Sequence, residues 1–418
     1  MKINQYRVFL VLILVIFTGI IVIMYQNTGT KPQESFIEAG DKVEIAVICP
    51  QSSELEAYTF LAEMAEQDIN DYMVEQGFPL EFVFNVSNAD GRAMNAYNLA
   101  KQHYENGNRL IVGLSWSSQM DTFFSFANSN DCLIISPGST QTWPWRLAPN
   151  TYRLYPAEHL YTVPLTRCVE SLNISKVVIV KLRFSFADIM YDEFKDDYSG
   201  EVSEIVIESD STDVDFNSTT QLLEAEIKES IQEHGIDHVA VYFISLSDHL
   251  AKILDSSTDD TLYSVPWFVW NWYTWHQDPG TRFSDFEEDK TQLARIQLIG
   301  AHPAIPDNPT YTRVNEAYQE AFDQLISMIH GNIYDGLWIT ALAVAETGSV
   351  NGTKVGLAIP DIAKSYVGVT GNCSLNDWGD RWGVDWTIYG YRLIEDQSTV
   401  TEFGFYNCTT GEITWYDR

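Results

Sequence analysis

The chain has 418 residues, of which 45% are hydrophobic, 20% charged and 13% aromatic. That composition excludes a disordered chain, and the length calls for two or three domains. Lys and Arg number 25 against 58 Asp and Glu; the net charge of −33 repels phosphate backbones and excludes nucleic acid as a partner.

In chain order, the first feature is Val8 to Met24 (VFLVLILVIFTGIIVIM), an unbroken apolar run preceded by Lys2 and Arg7. As a helix it would span about 25 Å, near the lower limit for a bilayer crossing. The positive flank predicts the N-terminus inside and the remainder outside. Residues 1–24 are therefore expected to be a membrane anchor or a signal peptide. The uncleaved transmembrane helix is favoured, because no small-residue cleavage site follows. Residues 25–42 are polar, contain Pro and Gly, and read as a tether. The expected location is extracytoplasmic, at the cell surface, tethered to the cell membrane by that helix. N-x-S/T triplets at Asn85, Asn173, Asn217, Asn351, Asn372 and Asn407 are compatible with an exported glycoprotein. Five cysteines leave at least one unpaired, and a Cys373–Cys408 bridge near the C-terminus is set against five buried thiols.

From Val43 the pattern alternates. Val43–Ile48, Leu80–Val86, Arg109–Leu114 and Cys132–Ser136 are short apolar runs with strand character. Between them Ser53–Gln76, Gly91–Asn106 and Gln119–Asn130 carry helical spacing. The alternation restarts with strands at Tyr152–Tyr155, Lys176–Leu182, Ser203–Ser209, His238–Ser245 and Val265–Trp270. Helices are predicted at Glu158–Leu172, Ala187–Tyr198, Thr220–His234 and Asp248–Leu254. A strand at Ile296–Ala301, helices at Pro309–Met328 and Tyr334–Thr347, and antiparallel strands over Asp385–Trp415 complete the chain. Repeated β-α units of this kind make parallel sheets covered on both faces.

No sequence signature of a hydrolase, zinc protease or nucleotide-binding loop occurs. Asp213, Asp215, Asn217 and Glu224 match four positions of a calcium-loop template, but Ser218 stands where that loop needs Gly, and capping of the following helix accounts for them better. Two loops carry more information. GLSWSSQ (Gly113–Gln119) and ISPGSTQT (Ile134–Thr142) each follow a strand, and the first opens a helix. Free amides, hydroxyls and the helix dipole there favour a carboxylate, and open α/β sheets bind ligands beyond the carboxyl ends of their strands.

The series IVGLSWSS, LIISPGSTQTW, TYRLYPAE, YDGLWITALAVAE, GVTGNCSLNDWGDRWG, WTIYGYRL and FGFYNCTTGEI stands in one order along residues 43–416. With these segments the chain resembles type 1 periplasmic-binding proteins, specifically the branched-chain amino acid (leucine/isoleucine/valine) ABC-transporter substrate-binding family. That group is similar to the ligand-binding domains of metabotropic glutamate receptors. The resemblance implies an α/β chain of two doubly wound parallel-sheet lobes joined by three hinge crossovers, here preceded by the N-terminal transmembrane helix. Lobe 1 would comprise residues 43–154 plus 297–365, and lobe 2 residues 155–296 plus 366–418.

The resemblance also implies a ligand site. Ser117 or Ser118 would meet a ligand α-carboxylate, with Ser115, Trp116 and Ser139 on the same two loops. Gly138 and Thr140 would hold the carboxylate and ammonium, Phe186 would cap the ligand, and Glu158 would pair with the ammonium. The chain departs from the branched-chain pattern after Val265–Trp270, where Asn271 and Trp272 replace a carboxylate; Asp248 is the nearest substitute. Trp116, Trp143, Trp145, Trp270, Trp272 and Trp275 would supply aromatic walls or hinge packing.

The expected function is capture of a small amino-acid-like ligand between the lobes and its delivery to an ABC permease, with no catalysis, cofactor or metal. The alternative is a ligand-sensing ectodomain of the same fold. A serine-dependent amidase or hydrolase would need His103, His159 or His276 brought to Ser117 or Ser118.

Overall fold

The structure is a computed structural model that describes residues 40–78, 80–142, 150–208, 214–270, 291–395 and 397–416. Strand β1 (Lys42–Cys49) reads KVEIAVIC, and its side chains divide between two cores as the period of a strand requires. Val43, Ile45, Val47 and Cys49 enter one core, and Ala46 and Ile48 the other. β2 (Glu81–Asn88), β3 (Leu110–Gly113), β4 (Leu133–Ser136) and β5 (Thr151–Arg153) join it in an all-parallel sheet of order β2-β1-β3-β4-β5. α1 (Leu55–Glu75) covers one face, and α2 (Ala93–Glu105) with α3 (Ser117–Ser129) covers the other.

A second, eight-stranded sheet follows. β6 (Lys176–Leu182), β7 (Glu201–Ile207), β8 (Val239–Ile244), β9 (Trp267–Val269) and β10 (Ile299–Pro303) run parallel. β13 (Trp386–Ile394), β14 (Gln397–Asn407) and β15 (Glu412–Trp415) extend it antiparallel, giving the order β15-β14-β13-β10-β9-β8-β6-β7. α4 (Thr162–Ser171) and α5 (Ser185–Asp197) cover one face. α6 (Phe216–His234), α7 (Ser247–Asp255) and the short α8 (Thr291–Arg295) cover the other. α9 (Pro309–Phe322), α10 (Met328–Thr347) and α11 (Gly352–Ser365) then return to the first sheet and close the face that α1 covers. The chain thus crosses between the lobes after β5, after β10 and between α11 and β13. The third crossing carries the two-stranded β11 (Val367–Gly368) and β12 (Gly371–Asn372).

Several expectations are revised. The N-terminal helix expected within residues 1–24 lies outside the described residues, and among the described residues no helix is long and apolar enough to cross a membrane. The most hydrophobic helix, α10, spends its apolar surface on the first-lobe core and carries the buried polar residues Asn332 and Asp335. The architecture is corrected to two α/β lobes with no membrane-crossing helix among the described residues. The membrane partner, the membrane-anchored description and the tethered location that rested on it are withdrawn.

The strand at Ile299–Pro303, expected at the start of the segment returning to lobe 1, pairs with β9 and β13 in the second sheet. The helix expected over Pro309–Met328 stops at Phe322, where Asp323 takes a left-handed conformation (φ 55°), and Ser327 caps the next helix by accepting the His330 amide. Helix α11 has no counterpart among the predicted elements because Gly352, Gly356 and Pro360 mask its apolar spacing. The Cys373–Cys408 bridge is not formed, and none of the five cysteines forms a disulfide. Cys373 Sγ lies beside Arg381, Asp335 and Thr370 in the third crossing, whereas Cys408 belongs to the second-lobe core.

The third crossing is fastened to α10 by Asp335. Its carboxylate accepts from the Val369 amide (2.7 Å), the Thr370 amide (2.9 Å), Thr370 Oγ1 (2.6 Å) and Tyr366 OH (3.2 Å). Burial pushes this carboxyl up, and the Thr370 hydrogen bonds and the Arg381 charge oppose it. Asp335→Ala would leave these donors buried without an acceptor. It is expected to cost about 3 kcal/mol or more, measured by urea denaturation, and a loss below about 1 kcal/mol would show that the crossing holds without this carboxylate.

Candidate functional site

At the carboxyl end of β3 the chain turns on Leu114, a non-glycine residue in the left-handed region (φ 55°), fixed by its amide to Ile48 O and by Ser136 Oγ donating to its carbonyl (3.0 Å). Conformations of this kind persist where surrounding bonds over-determine them, often at binding sites. The turn aims Ser115–Ser118 toward the loop that follows β4. Ser115 points inward, its hydroxyl 2.5 Å from the buried Tyr58 OH, so it supports the loop from behind. Trp116 stands at the start of α3 and remains 38% exposed.

Ser117 is the hub between the two loops. Its Oγ accepts from Ser139 Oγ (3.3 Å), the Thr140 amide (3.3 Å) and the Gln141 amide (3.2 Å). The Ser139 amide donates to Ser136 Oγ at 3.2 Å. Gly138 is closely packed: a Cβ there would sit 3.2 Å from both Ser115 O and Ile329 Cγ2, so these neighbours would have to shift by a few tenths of an ångström. Ser118 Oγ and Thr140 Oγ1 have no hydrogen-bond partner among the described residues; Ser118 is exposed and Thr140 half-buried. Ser118 thus presents an open hydroxyl from the first turn of α3, and Thr140 one from a loop whose amides are held by Ser117.

Glu158 adjoins them at the start of lobe 2. Its amide donates to Thr140 O (2.8 Å), and its carboxylate accepts the Thr142 amide (3.1 Å). Burial pushes this carboxyl up to about 7, against the Thr142 amide and the Arg153 charge that pull it down. His159 Nδ1 contacts Thr142 Oγ1 at 2.9 Å, and burial lowers its pKa. Behind the loop lies Arg153, fully buried and paired with Asp380 at 2.8 Å.

On the second lobe, Phe186 lies after β6 with its ring 5.1 Å from Trp270 and 5.8 Å from Phe184, which is 57% exposed. Asp248 already has a cationic neighbour in the protein. It lies in the first turn of α7 and is bonded to Lys252 one turn on at 2.8 Å, which outweighs its partial burial and lowers its pKa. Asn271 and Trp272 lie outside the described residues, as do Trp143, Trp145, Trp275 and His276. The structure therefore brings Ser115, Trp116, Ser117, Ser118, Gly138, Ser139, Thr140 and Glu158 together, and sets Phe186 on the other lobe.

Asp215 caps α6 through the Ser218 amide and hydroxyl, and Glu224 accepts from Ser257 and Thr258, so both are engaged in capping and loop anchoring; Asp213 lies outside the described residues. Among the described residues no group of three or more His, Cys, Asp and Glu side chains could hold a metal. Nor does any described histidine hydrogen-bond Ser117 or Ser118, and His159 is held by Thr142. Sequence reasoning missed Tyr58, Arg153, Asn332 and Asp380. The available signal was a lone Arg inside an otherwise apolar edge strand, but its partner lies 227 residues away.

The family model for the receptor family ligand binding region matches residues 62–392. That is most of the chain, and the chain belongs to this family. It is 21% identical over 378 residues to an uncharacterized protein of Methanocaldococcus jannaschii, covering 85% of this chain and 86% of that one. Among solved structures it is similar to an ABC transporter substrate-binding protein from Desulfitobacterium hafniense in complex with Leu. The TM-score is 0.64 at 15% identity, over 86% of this chain and 100% of the other. An ABC-type branched-chain amino acid transporter protein from Rhodopseudomonas palustris matches with TM-score 0.65 and 14% identity, over 90% and 100% of the two chains. These likenesses show the two-lobed binding-protein fold, and the matched structures are named as parts of transporters, not as enzymes.

Proposed function

We propose that this member of the receptor ligand-binding family is an extracytoplasmic solute-binding protein that takes a small amino-acid-like molecule between its lobes and passes it to an ABC permease. One observation carries the reading. Ser118, in the first turn of α3, and Thr140, in the loop after β4, have hydroxyls without a hydrogen-bond partner among the described residues, and the buried Glu158 carboxylate holds the Thr140 loop through the Thr142 amide. Hydroxyl donors suit an acid group, and a buried carboxylate suits an ammonium. The aromatic side chains Trp116, Phe184 and Phe186 supply apolar surface for the rest of the ligand, with Trp270 packed beneath Phe186. The Leu complex of the Desulfitobacterium protein supports an amino acid with an apolar side chain. Such a site works by satisfying buried polar groups and by closure; it needs no cofactor and no bond chemistry.

The test is a calorimetric and thermal-shift panel of L-leucine, L-isoleucine, L-phenylalanine and L-glutamate, with leucinamide as the ligand lacking the acid group. A true ligand at 100 times its Kd stabilises by about 2.7 kcal/mol. Thr140→Val and Ser118→Ala are each expected to weaken binding about tenfold or more without lowering Tm, because neither hydroxyl has a partner among the described residues. Equal affinity for leucine and leucinamide would remove the assignment. Binding that leaves a reconstituted permease idle would move the role to a ligand sensor of the same fold.

A further inference from the structure

The loop 137–142 is held by its carbonyls as well as its amides. Asn332 Nδ2 donates to Pro137 O (2.9 Å) and to Leu154 O in the first crossing (2.9 Å). Arg153 Nη1 donates to Ser139 O (3.5 Å) and to Gln141 O. The carbonyls at 137, 139 and 141 therefore face the interior, and the 139–140 and 141–142 peptide planes that bracket Thr140 and Gln141 are held. The same guanidinium donates through Nε to Asp380 Oδ1 at 2.8 Å, and the Arg153 amide donates to Gly379 O at 2.9 Å. Asp380 lies in the third crossing, and Arg153 and Asp380 form an isolated parallel bridge there. Their side chains are 1% and 7% exposed, so both charges are desolvated and each depends on the other.

Taking 138–142 as the ligand loop, as the reading above does, we propose that Arg153 is the positioning residue of that loop and that Asp380 couples it to the third crossing. An Arg is needed because its planar fork can serve an acid and two carbonyls from one position, which a Lys ammonium on a flexible stem cannot do. Any rotation of the lobes that shifts the third crossing is transmitted to the guanidinium, and through it to the Ser139 and Gln141 carbonyls. Ligand-loop order and lobe position are in this way linked by one buried pair.

The experiment compares wild type with Arg153→Lys, Asp380→Asn and Arg153→Met by hydrogen exchange, resolved for the amides of 139–142, together with Tm and binding of L-leucine, L-phenylalanine and L-glutamate. Arg153→Lys keeps the charge and one bond to Asp380. It is expected to speed exchange of these four amides at least tenfold and to weaken any amino acid that binds by at least tenfold, while Tm falls by only a few degrees. Asp380→Asn, which keeps an acceptor without the charge, is expected to give a smaller change in the same amides. A purely structural ion pair would behave differently. Exchange would rise evenly across the lobe in step with Tm, or the 139–142 amides would stay protected, and either result in Arg153→Lys overturns the proposal. If Arg153→Met does not fold, the Lys and Asn variants decide. If none of the three amino acids binds wild type, the ligand reading fails, while the exchange data still decide the role of Arg153.

Discussion

Gly113→Ala is expected to remove on the order of 3–5 kcal/mol of stability, a large part of the roughly 5–15 kcal/mol that a folded domain has. Gly113 ends β3 at φ 143°, a conformation that L side chains rarely adopt. An added Cβ would lie 2.4 Å from Ile48 O, 2.7 Å from Ile48 N and 3.0 Å from Ile48 C, all backbone atoms of β1. No side chain can move aside to relieve that collision. β1 and β3 would have to separate where Ile48 pairs with Gly113, in the middle of the first sheet. Leu114 and the loop carrying Ser115–Ser118 would move with them. Gly411→Ala is the matched control: φ is 73° there too, but no atom lies within 4 Å of the added methyl, so only the conformational cost of about 1 kcal/mol is expected. Urea denaturation of both variants separates the two effects. Equal losses would show that the strand spacing at Gly113 is not the constraint.

The second large effect concerns Glu158 and pH. Its carboxyl moves from an ordinary value of 4.5 to about 7 because burial penalises the charge. Between those two values the folded protein holds a proton that the unfolded chain has released. Stability contributed by this group is therefore greatest in acid, falls as pH rises from about 4.5 to about 7, and is flat above. The gap corresponds to on the order of 3 kcal/mol. Glu158→Gln cannot ionise and keeps an acceptor for the Thr142 amide. It is expected to match wild type near pH 4.5 and to exceed it by on the order of 3 kcal/mol at pH 8, measured by denaturation at both values. Parallel pH profiles for the two proteins would show that the Glu158 carboxyl titrates normally. Under the proposed function the same variant loses ligand at pH 8, because a buried carboxylate gains its counter-charge from the ligand ammonium. A gain in stability with a loss of binding is the pattern expected of a group kept for function.

The prediction of β-α alternation follows from residues that read the same way locally and globally. KVEIAVIC and KVVIVKL are short, β-branched and apolar, and they become central parallel strands buried on both faces. The places of GLSWSSQ and ISPGSTQT were legible for a similar reason: each directly follows a short apolar run, and those runs form β3 and β4. α11 was not legible, because Gly352, Gly356 and Pro360 interrupt the pattern, and the helix gains its stability from packing Val355 and Ile359 into the first-lobe core. Asp248 shows the converse. Its position after β8 made it a plausible ammonium partner, but an i, i+4 lysine on the same helix holds the carboxylate.

The sequence by itself determined the parallel α/β class, the strand ends that carry the candidate site and a charge balance that opposes contact with phosphate backbones. All three depend on residues within a few positions of one another, or on composition alone. Only the tertiary structure decided which serine is a hub and which is open, that Cys373 and Cys408 stay apart, and that Arg153 grips the loop from Asp380. Those outcomes depend on side chains set together or apart across separations from 22 residues at Ser117 to 227 at Arg153, where spacing along the chain no longer sets the distance between them.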